Sequence, residues 1–597
     1  MTVIHNFSVG RQSSTRTVGR NYQSVVVMLL ISVFLLGGIA SRLAYLQLVE
    51  GERNKELAEN NRIRIIPKPP VRGNIFDRKG RILASTRLSR SVFVWPIALQ
   101  KEKWPATFKR LSEILDIPEE DIEKHLQNAD NSSLSRIRIA RSITPTQITA
   151  LAEYSNELEG VDVDVETVRE YPNGDLASHV LGYTGEINEE ELADRREDGY
   201  RPGDVIGQMG VEESFQEMLR GEWGGQQVEV DGADQVVKVL GKKEAKAGKD
   251  VKITLDIDTQ KAAEAALGYR KGAIVAIDPN NGEVLAMVSR PTFDPNIFST
   301  RITQETWTKL QGRGNPFVNR AIRGFPPAST FKIVTAAAGM ETGKYPPNTV
   351  LPTFAYLRVG GTAFGEWNKA GFGPLGYVRA LAMSSNTFHG QIGKGIGGEK
   401  LIEWSRKFGF GQKTGVELNE ESAGLIADNA WKQKRFNWEW TVGDTVNMSI
   451  GQGFTQATPL QVAMMFAVPA NGGYKVKPHL LLDEKNQGSD QWRQSINLKP
   501  DTVEKLRQGL RAVVTGGTGK KLNVSHLPPV AGKSGTAEAP PGKPHAWFGA
   551  YAPADKPEIV VVAFAEHSGG GGGSTAGPMV RQVLEGYFKA KAAESKK

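Results

Sequence analysis

The 597-residue sequence contains no cysteine. This absence excludes a disulfide scaffold, a cysteine nucleophile, thiolate zinc sites and cysteine-ligated iron–sulfur clusters. A strong excess of one charge is also missing, since 74 Lys and Arg residues stand against 66 Asp and Glu residues. The basic residues are scattered among acidic ones, with no basic helix, RNP-like strand or zinc-finger spacing. Nucleic-acid binding is therefore not expected.

Motifs for metals, nucleotides and cofactors are missing as well. The eight histidines are far apart in the sequence, and neither H-E-x-x-H nor G-x-x-x-x-G-K-[ST] occurs. A five-glycine run, Gly569 to Gly573, has no Lys-Ser/Thr partner and is interpreted as a flexible connector. We therefore expect no metal and no cofactor. Hydrophobic residues at 39% and charged residues at 23% are typical of a globular protein.

One long segment near the start has no charge. Asn21 to Ser41 is 21 residues long, and about 20 apolar residues cross the hydrocarbon core of a membrane. Gly38-Ile39-Ala40 offers a small-x-small site for signal peptide cleavage, but the apolar pattern continues to Val49, which favours an uncleaved anchor. We expect a cytoplasmic tail at 1–20, a transmembrane anchor with its helical extension at 21–49, and the rest of the chain outside.

The rest of the chain is expected to form two domains. Residues 50–250 mix short strand-like and helical runs. In residues 251–597, a predicted hairpin around Asp278 to Gly282 and three strand-like runs near the end (529–537, 545–551 and 558–565) surround a mostly helical insertion. A last helix is predicted from about Pro578 to Lys591. Strands from both ends of one domain, with helices between them, indicate an α/β sandwich with helices on both faces.

The motif Ser329-Thr-Phe-Lys332 has the spacing of a serine nucleophile and its base. Two prolines precede it and a helical pattern follows, so Ser329 lies at a helix amino terminus. Residues three apart share one helix face, and a lysine whose pKa is lowered by burial can take a proton from a serine hydroxyl. The free N–H groups of the helix end also favour an oxyanion. Alone, such a motif is more often a chance match, with the serine as a helix cap.

Two further motifs follow in order. Ser384-Ser-Asn386 interrupts an apolar helical stretch, where a polar trio suits either a site or a buried turn. Lys533-Ser-Gly-Thr536 opens the first strand of the final set, and it presents either a ligand-binding cation with hydroxyls or a solvated edge. In that motif Gly535 would let a ligand approach the backbone. A second match, Lys413-Thr-Gly415, lies in the glycine-rich insertion and is set aside as structural.

The ordered trio S-x-x-K, S-x-N and K-[ST]-G resembles that of the penicilloyl-serine transferases. The amino-terminal half is similar to class B penicillin-binding proteins, and more to their elongation-type than their division-type members. Its matching segments are Arg72-Gly-Asn-Ile-Phe-Asp-Arg78, Tyr171-Pro-Asn-Gly174, His179-Val-Leu-Gly-Tyr183, Gly207-Gln-Met-Gly-Val-Glu-Glu-Ser214 and Leu219-Arg-Gly221. In the second half of the chain, Gly451-Gln-Gly453 and Thr458-Pro-Leu-Gln461 add to the resemblance to the elongation-type members.

The resemblance implies a fold and an activity. The fold is a five-stranded antiparallel sheet with helices on both faces, carried on an extended mixed α/β pedestal, a dimerisation-type interaction domain. The activity is that of a peptidoglycan D,D-transpeptidase. Ser329 would be the nucleophile and Lys332 the general base, while Ser384, helped by Asn386 and Lys533, would relay a proton to the leaving amine.

The resemblance also implies how the substrate is bound. Ser534 and Thr536, with Gly535 between them, would hold the donor carboxylate, and the backbone N–H groups of Ser329 and Thr536 would form the oxyanion hole. Ser534 replaces the threonine of many relatives and keeps the hydroxyl, and Asn386 stands where some elongation-type relatives carry Asp. Some relatives bind zinc through a set that includes cysteine, which this sequence lacks, so no metal is carried over.

The expected partners are peptidoglycan stem peptides, β-lactams, a polytopic glycan polymerase and rod-complex scaffold proteins. The expected location is the cytoplasmic membrane, with one helix in the membrane and the catalytic domain on its outer face. Three other functions stay open at this stage: a division-type transpeptidase, a β-lactam-hydrolysing or β-lactam-sensing relative, and a non-catalytic scaffold for the polymerase.

Overall fold

The structure, a computed structural model, describes residues 15–53, 55, 63–95, 103–127, 136–230, 236–312, 314–482 and 490–596. Residues 1–14 of the predicted tail lie outside the described residues. The chain forms two compact units, one made of Met1–Pro70 and Glu222–Lys246, the other of Val71–Gly221 and Ala247–Lys597. The second unit contains every residue with a predicted catalytic or binding role.

A long apolar helix lies in the first unit. The α-helix Thr15–Ala44 continues into a π-helical turn, Tyr45–Val49. The stretch Tyr22–Val49 is 28 residues long, more than the roughly 20 that a membrane requires, and its large apolar side chains, such as Phe34, are exposed. The prediction of one amino-terminal apolar helix that suits a membrane span is confirmed. This unit also contains an antiparallel sheet, with the strands Ile63–Lys68, Gly224–Val230 and Val236–Lys243.

The second unit begins with a small α/β layer. Its strands are Ile75–Phe76, Ile82–Val94, Ile137–Ala140, Val161–Glu170 and Val251–Lys252, and its helices are Trp104–Leu115, Glu119–Gln127 and Pro145–Glu153. Phe108, Leu111 and Leu115 recur at helical spacing, so one face of their helix is buried against Val92 and Val94. Smaller elements follow at Ser178–Leu181, Thr184–Glu186, Glu189–Arg195, Arg196–Asp198, Val205–Gly207, Gly210–Ser214 and Gln216–Leu219.

A buried carboxylate joins segments of this layer that are distant in sequence. Glu212 accepts hydrogen bonds from Arg72 Nε and Arg169 Nε, both at 2.6 Å, and from the Tyr171 hydroxyl at 3.2 Å. Burial by itself raises the pKa of Glu212, but the charges and hydrogen bonds of Arg169 and Arg72 lower it below its usual value. The carboxylate is therefore ionised and paired, and it links Arg72, Tyr171 and Glu212, which belong to three of the family-like segments.

Five strands form the central antiparallel sheet of the second unit. They are β1 (Gly272–Ile277), β2 (Val284–Arg290), β3 (Ala531–Ala537), β4 (His545–Ala552) and β5 (Ile559–Ala565), in the spatial order β2-β1-β5-β4-β3. The predicted hairpin is the β1–β2 pair, and the three late strand-like runs are β3, β4 and β5. Strands from both ends of the domain therefore meet in one sheet, as expected.

Helices cover both faces of this sheet or pack against the helices that do. They are α1 (Ile257–Leu267), α2 (Lys332–Glu341), α3 (Tyr377–Met383), α4 (Asn386–Ile396), α5 (Pro459–Ala470), α6 (Pro500–Thr515) and α7 (Gly572–Glu594). Successive strand side chains point to opposite faces, so Ile274 packs with α1 and α7, whereas Val275 packs with α2 and α5. Both faces are buried, which explains the nearly continuous apolar runs of β1, β4 and β5. The predicted α/β sandwich is confirmed.

The insertion between β2 and β3 is mostly helical, with small hairpins. Besides α2 to α6, its helices are Gln304–Gln311, Gly398–Lys407, Asn429–Phe436 and Val442–Ser449, with 3-10 turns at Pro295–Ser299, Arg320–Ile322, Ala328–Phe331, Asp490–Trp492 and Lys520–Leu522. Its two-stranded sheets pair Val350–Thr353 with Gly373–Gly376, Tyr356–Val359 with Thr362–Gly365, Leu425–Ile426 with Thr455–Gln456, and Tyr474–Val476 with Arg493–Ser495.

The start of the last helix differs from the sequence prediction. Gly571 is the N-cap of α7 and Gly572 its first residue, so the glycine run enters the helix and Pro578 lies inside it. A Cβ on Gly572 would lie 2.3 Å from the carbonyl oxygen of Trp547 and 2.4 Å from that of Gly535. The interpretation of this run as only a flexible connector is therefore wrong. Glycine is needed because the helix begins in contact with the backbones of β3 and β4.

This close contact predicts that two neighbouring substitutions differ in their effect on stability. Gly572→Ala would force α7 away from the strand backbones, and we expect a loss of about 1–3 kcal/mol in the free energy of unfolding. Gly571→Ala is the matched control, because its Cβ would meet only side-chain atoms, at 3.6 Å or more, and its φ is −75°. Thermal unfolding of both variants checks this. Equal melting temperatures would contradict the packing explanation.

Candidate active site

Ser329 lies in a 3-10 turn, Ala328–Phe331, that leads directly into α2. The serine is half-buried, whereas Thr330 and Lys332, which follow it, are fully buried. The Ala328 N–H donates to the Gly451 carbonyl at 2.9 Å, and a Cβ on Gly451 would lie 2.2 Å from the Ala328 carbonyl oxygen. Gly451, in one of the family-like motifs, therefore supports the backbone of the turn that carries Ser329.

Lys332 is buried at the start of α2. Its Nζ donates to the Ser384 carbonyl oxygen at 2.7 Å and to Asn386 Oδ1 at 2.6 Å, with Ser384 Oγ at 3.4 Å. Burial lowers the pKa of Lys332 to about 7, against the opposing effect of the Glu366 carboxylate. A neutral amine has two N–H donors, which match the two carbonyl acceptors, and its lone pair is left to accept a proton.

Ser384 and Asn386 lie at the predicted break between two helices. α3 ends at Met383, and Ser384 adopts the left-handed conformation with φ 55°. Ser385 then caps α4 by accepting a hydrogen bond from the Phe388 N–H at 3.2 Å. This reversal turns the Ser384 hydroxyl and the Asn386 amide toward the Lys332 amine.

Lys533 approaches the same serine from β3. It is fully buried, and its Nζ donates to Ser384 Oγ and to the Ser534 carbonyl oxygen, both at 2.8 Å. Burial, and then the nearby Lys332 charge, lower the pKa of Lys533 well below its ordinary value. The Ser384 hydroxyl therefore lies between two lysine amines. Residues of all three sequence motifs therefore lie together in the structure.

The hydroxyls of β3 contact segments that sequence motifs did not indicate. Ser534 Oγ lies 2.6 Å from Thr518 Oγ1, and the Gly572 N–H donates to Thr536 Oγ1 at 3.1 Å. Thr518 belongs to no motif that we recognised, and only its position in a glycine-rich turn after α6 marks it. Gly535 has a packing role in addition to the predicted ligand approach, because a Cβ there would lie 3.2 Å from the Pro327 carbonyl oxygen.

The second K-[ST]-G match is not part of this site. Lys413 to Gly415 lies in a loop rather than in a strand. The backbone N–H groups of Thr414 and Gly415 donate to the Glu421 carboxylate at 2.8 and 3.1 Å. The structural interpretation of this segment is confirmed.

Within the described residues, one carboxylate cluster has the proximity of a metal site. Asp256, Asp258 and Glu594 lie close together. Lys79 forms ion pairs with all three, at 2.5 Å from Asp256, and Arg81 pairs with Asp258 at 2.8 Å. Each carboxylate of the cluster is therefore paired with at least one cation, and the cluster is an ion-pair network in the second unit.

Comparison with known proteins agrees with this fold. Residues 272–585 match the penicillin binding protein transpeptidase domain, and residues 67–253 match the penicillin-binding protein dimerisation domain. Peptidoglycan D,D-transpeptidase MrdA of Acinetobacter baumannii is 35% identical over 563 residues, which are 89% of this chain and 83% of that protein.

Two solved structures extend the comparison. Penicillin-binding protein PBP2 from Helicobacter pylori, solved in complex with MreC, has a TM-score of 0.81 at 30% identity and covers 88% of this chain and 99% of its own. A chain of a peptidoglycan synthase complex that coordinates polymerization and crosslinking has a TM-score of 0.70 at 32% identity and covers 95% of this chain and 98% of its own.

The five-stranded sheet with its covering helices is the penicilloyl-serine transferase fold. It is preceded by a dimerisation domain and an amino-terminal apolar helix. The chain belongs to the class B penicillin-binding proteins and is similar to PBP2. The family and the fold expected from the sequence motifs are confirmed.

The buried amine predicts how reaction with penicillin depends on pH. If neutral Lys332 accepts the proton of the nucleophile, the acylation rate falls as pH drops through about 7, where this lysine becomes protonated. Stopped-flow acylation of the detergent-solubilised full chain between about pH 5.5 and 9 measures this. A rate that is flat or that rises toward acid pH would contradict the proposed base.

Removing the amine tests the same point independently. In Lys332→Ala the serine loses its proton acceptor, and we expect acylation to slow on the order of 10³-fold or more. Lys413→Ala, in the loop that only resembles the third motif, is the matched control and should acylate at the wild-type rate. An unchanged rate in Lys332→Ala would refute the role of this lysine.

Proposed function

We propose that the chain is a membrane-anchored peptidoglycan D,D-transpeptidase of the elongation type, which cross-links stem peptides through an acyl-enzyme on Ser329. The observation that carries this proposal is the position of the Ser384 hydroxyl, which lies 2.8 Å from Lys533 Nζ and 3.4 Å from Lys332 Nζ. Lys332 itself follows Ser329 by one helical turn. Family membership and the similarity to proteins named peptidoglycan D,D-transpeptidase support the reaction class.

In the first half of the proposed reaction, Ser329 Oγ attacks the carbonyl of the penultimate D-Ala of a donor stem peptide. Lys332 accepts the hydroxyl proton as the new C–O bond forms. The peptide bond then breaks, and Ser384 passes its proton to the departing D-Ala amine while it recovers one from Lys332. Asn386 and Lys533 hold the relay in position, which fits their direct contacts with Lys332 and Ser384.

The second half of the proposed reaction consumes the acyl-enzyme. The amine of a neighbouring stem peptide attacks the ester, the same groups return the proton to Ser329, and a peptide cross-link forms. Ser534 and Thr536 would bind the donor carboxylate beside the buried Lys533. The backbone N–H groups of Ser329 and Thr536 would stabilise the oxyanion in both halves, since donors that the fold already holds in position need little reorganisation.

The test of this proposal is the site and lifetime of a penicillin adduct. We expect fluorescent penicillin to label the wild-type chain at Ser329, as located by mass spectrometry of the digested adduct, and Ser329→Ala to abolish labelling. Ser422→Ala, outside all three motifs, is the matched control. Labelling of Ser329→Ala at another serine would overturn the assignment, and rapid loss of the adduct would favour a β-lactam-hydrolysing enzyme instead.

The proposed location is the cytoplasmic membrane, with the tail at 1–20 inside and the pedestal (50–250) and transpeptidase domain (251–597) outside. The apolar length of Tyr22–Val49 supports the anchor. The pedestal would dock a glycan polymerase and a rod-complex scaffold protein. Support comes from the similarity to a PBP2 solved with MreC and to a chain of a peptidoglycan synthase complex.

Protease accessibility tests the orientation. Protease added to intact spheroplasts should degrade the bulk of the chain after residue 49, because these residues lie outside in the proposed topology. A cytoplasmic marker protein in the same sample should stay intact as the control. Full protection of a chain that still binds penicillin after lysis would reverse the proposed topology.

A further inference from the structure

A hairpin at residues 356–365 contacts the second motif through the Asn386 side chain. The Asn386 side chain donates through Nδ2 to the carbonyl oxygen of Gly365 at 2.9 Å, while its Oδ1 accepts from Lys332. Beyond the hairpin, Trp367 Nε1 donates to the Met383 carbonyl oxygen at 2.8 Å, directly before Ser384. Hydrogen bonds from this segment therefore reach both sides of the Ser384-Ser-Asn386 turn.

Between these contacts lies a buried carboxylate, Glu366, that has no part in the proposed reaction. Glu366 is only 1% exposed, and one of its oxygens, Oε2, accepts from Ser385 Oγ at 2.6 Å, from the Thr387 N–H at 3.1 Å and from Thr387 Oγ1 at 3.2 Å. These donors belong to the N-cap and the first turn of α4, where a negative charge is favourable. The carboxylate thus fixes the amino end of the helix that presents Asn386.

The titratable groups around Lys332 come from several elements. Lys533 approaches from β3, and His389 approaches from α4, with its Nδ1 2.8 Å from the Ser385 carbonyl oxygen. Burial, then the Lys332 charge, lower the pKa of His389 well below its ordinary value, so it is neutral. Among the described residues, Glu366 is the charged group that raises the pKa of Lys332.

We infer that Glu366 is a positioning residue, which holds the Ser384-Ser-Asn386 turn against Lys332 and supplies the negative charge that balances the protonated form of this lysine. The inference rests on the proposed function, because it concerns the base of the acylation step. Two consequences follow. Without the carboxylate the turn loses three hydrogen bonds, and without its charge the amine loses its proton at a lower pH.

Glu366→Gln separates this role from a purely structural one. The amide keeps the size of the side chain but removes the charge, so the midpoint of the acylation–pH profile should move about one pH unit or more toward acid. We expect the plateau rate to fall about tenfold or more, because Ser384 and Asn386 are held less firmly. Glu366→Asp, which keeps the charge, should retain the wild-type midpoint even where its rate is lower.

Glu421→Gln is the matched control for Glu366→Gln. Glu421 is also buried and also accepts hydrogen bonds from the backbone, but at Thr414 and Gly415, and its charge does not affect the pKa of Lys332. Its pH midpoint and rate should match the wild type. A folded Glu366→Gln with the wild-type midpoint would overturn the inference, as would an equal shift in Glu421→Gln.

A second pair of variants keeps the test decisive if Glu366→Gln fails to fold. Ser385→Ala and Thr387→Val leave the charge of Glu366 in place but remove hydroxyl donors to it, so the folded double variant should lose about tenfold or more in acylation at an unchanged midpoint. A wild-type rate would refute the positioning role. Absence of acylation at Ser329 in the wild type would instead refute the proposed function, so the two failures are distinguishable.

Discussion

Two lysine amines meet one serine hydroxyl inside this protein, and the geometry of the site depends on that contact. Lys332 and Lys533 are fully buried, and both lie within hydrogen-bond distance of Ser384 Oγ. A charged ammonium is costly to bury, so burial lowers the pKa of both lysines, and the nearby charge of Lys332 lowers the pKa of Lys533 further. An amine that is neutral near pH 7 can act as a base at the pH of the cell, whereas an exposed lysine is almost entirely protonated.

The fold brings these groups together from three distant segments by letting backbones approach closely. Gly451 supports the turn of Ser329, Gly535 lets β3 lie beside that turn, and Gly572 lets the last helix start against β3 and β4. A Cβ at any of these positions would meet backbone atoms, within 2.4 Å at Gly451 and Gly572 and at 3.2 Å at Gly535. The precision of the site is therefore a packing property of the sheet and its covering helices.

Much of this architecture was predictable from the sequence, because it depends on local patterns. The apolar helix, the β1–β2 hairpin, the late strands and the break at Ser384 all follow from periodicity and turn residues. The roles of Glu366 and Thr518 did not, since their partners lie about 20 and 16 residues away and neither belongs to a motif. The start of α7 was missed because a glycine run normally indicates a loop, whereas here the lack of side chains serves packing.

The central claim is that Lys332 is an uncharged amine ready to accept the Ser329 proton. Neutron crystallography of the chain at about pD 8.5 observes this directly, because deuterons on nitrogen become visible. The account predicts two deuterons on Lys332 Nζ, one directed at the Ser384 carbonyl oxygen and one at Asn386 Oδ1, with the lone pair facing Ser329. Three deuterons on that nitrogen, or an amine turned away from Ser329, would contradict it.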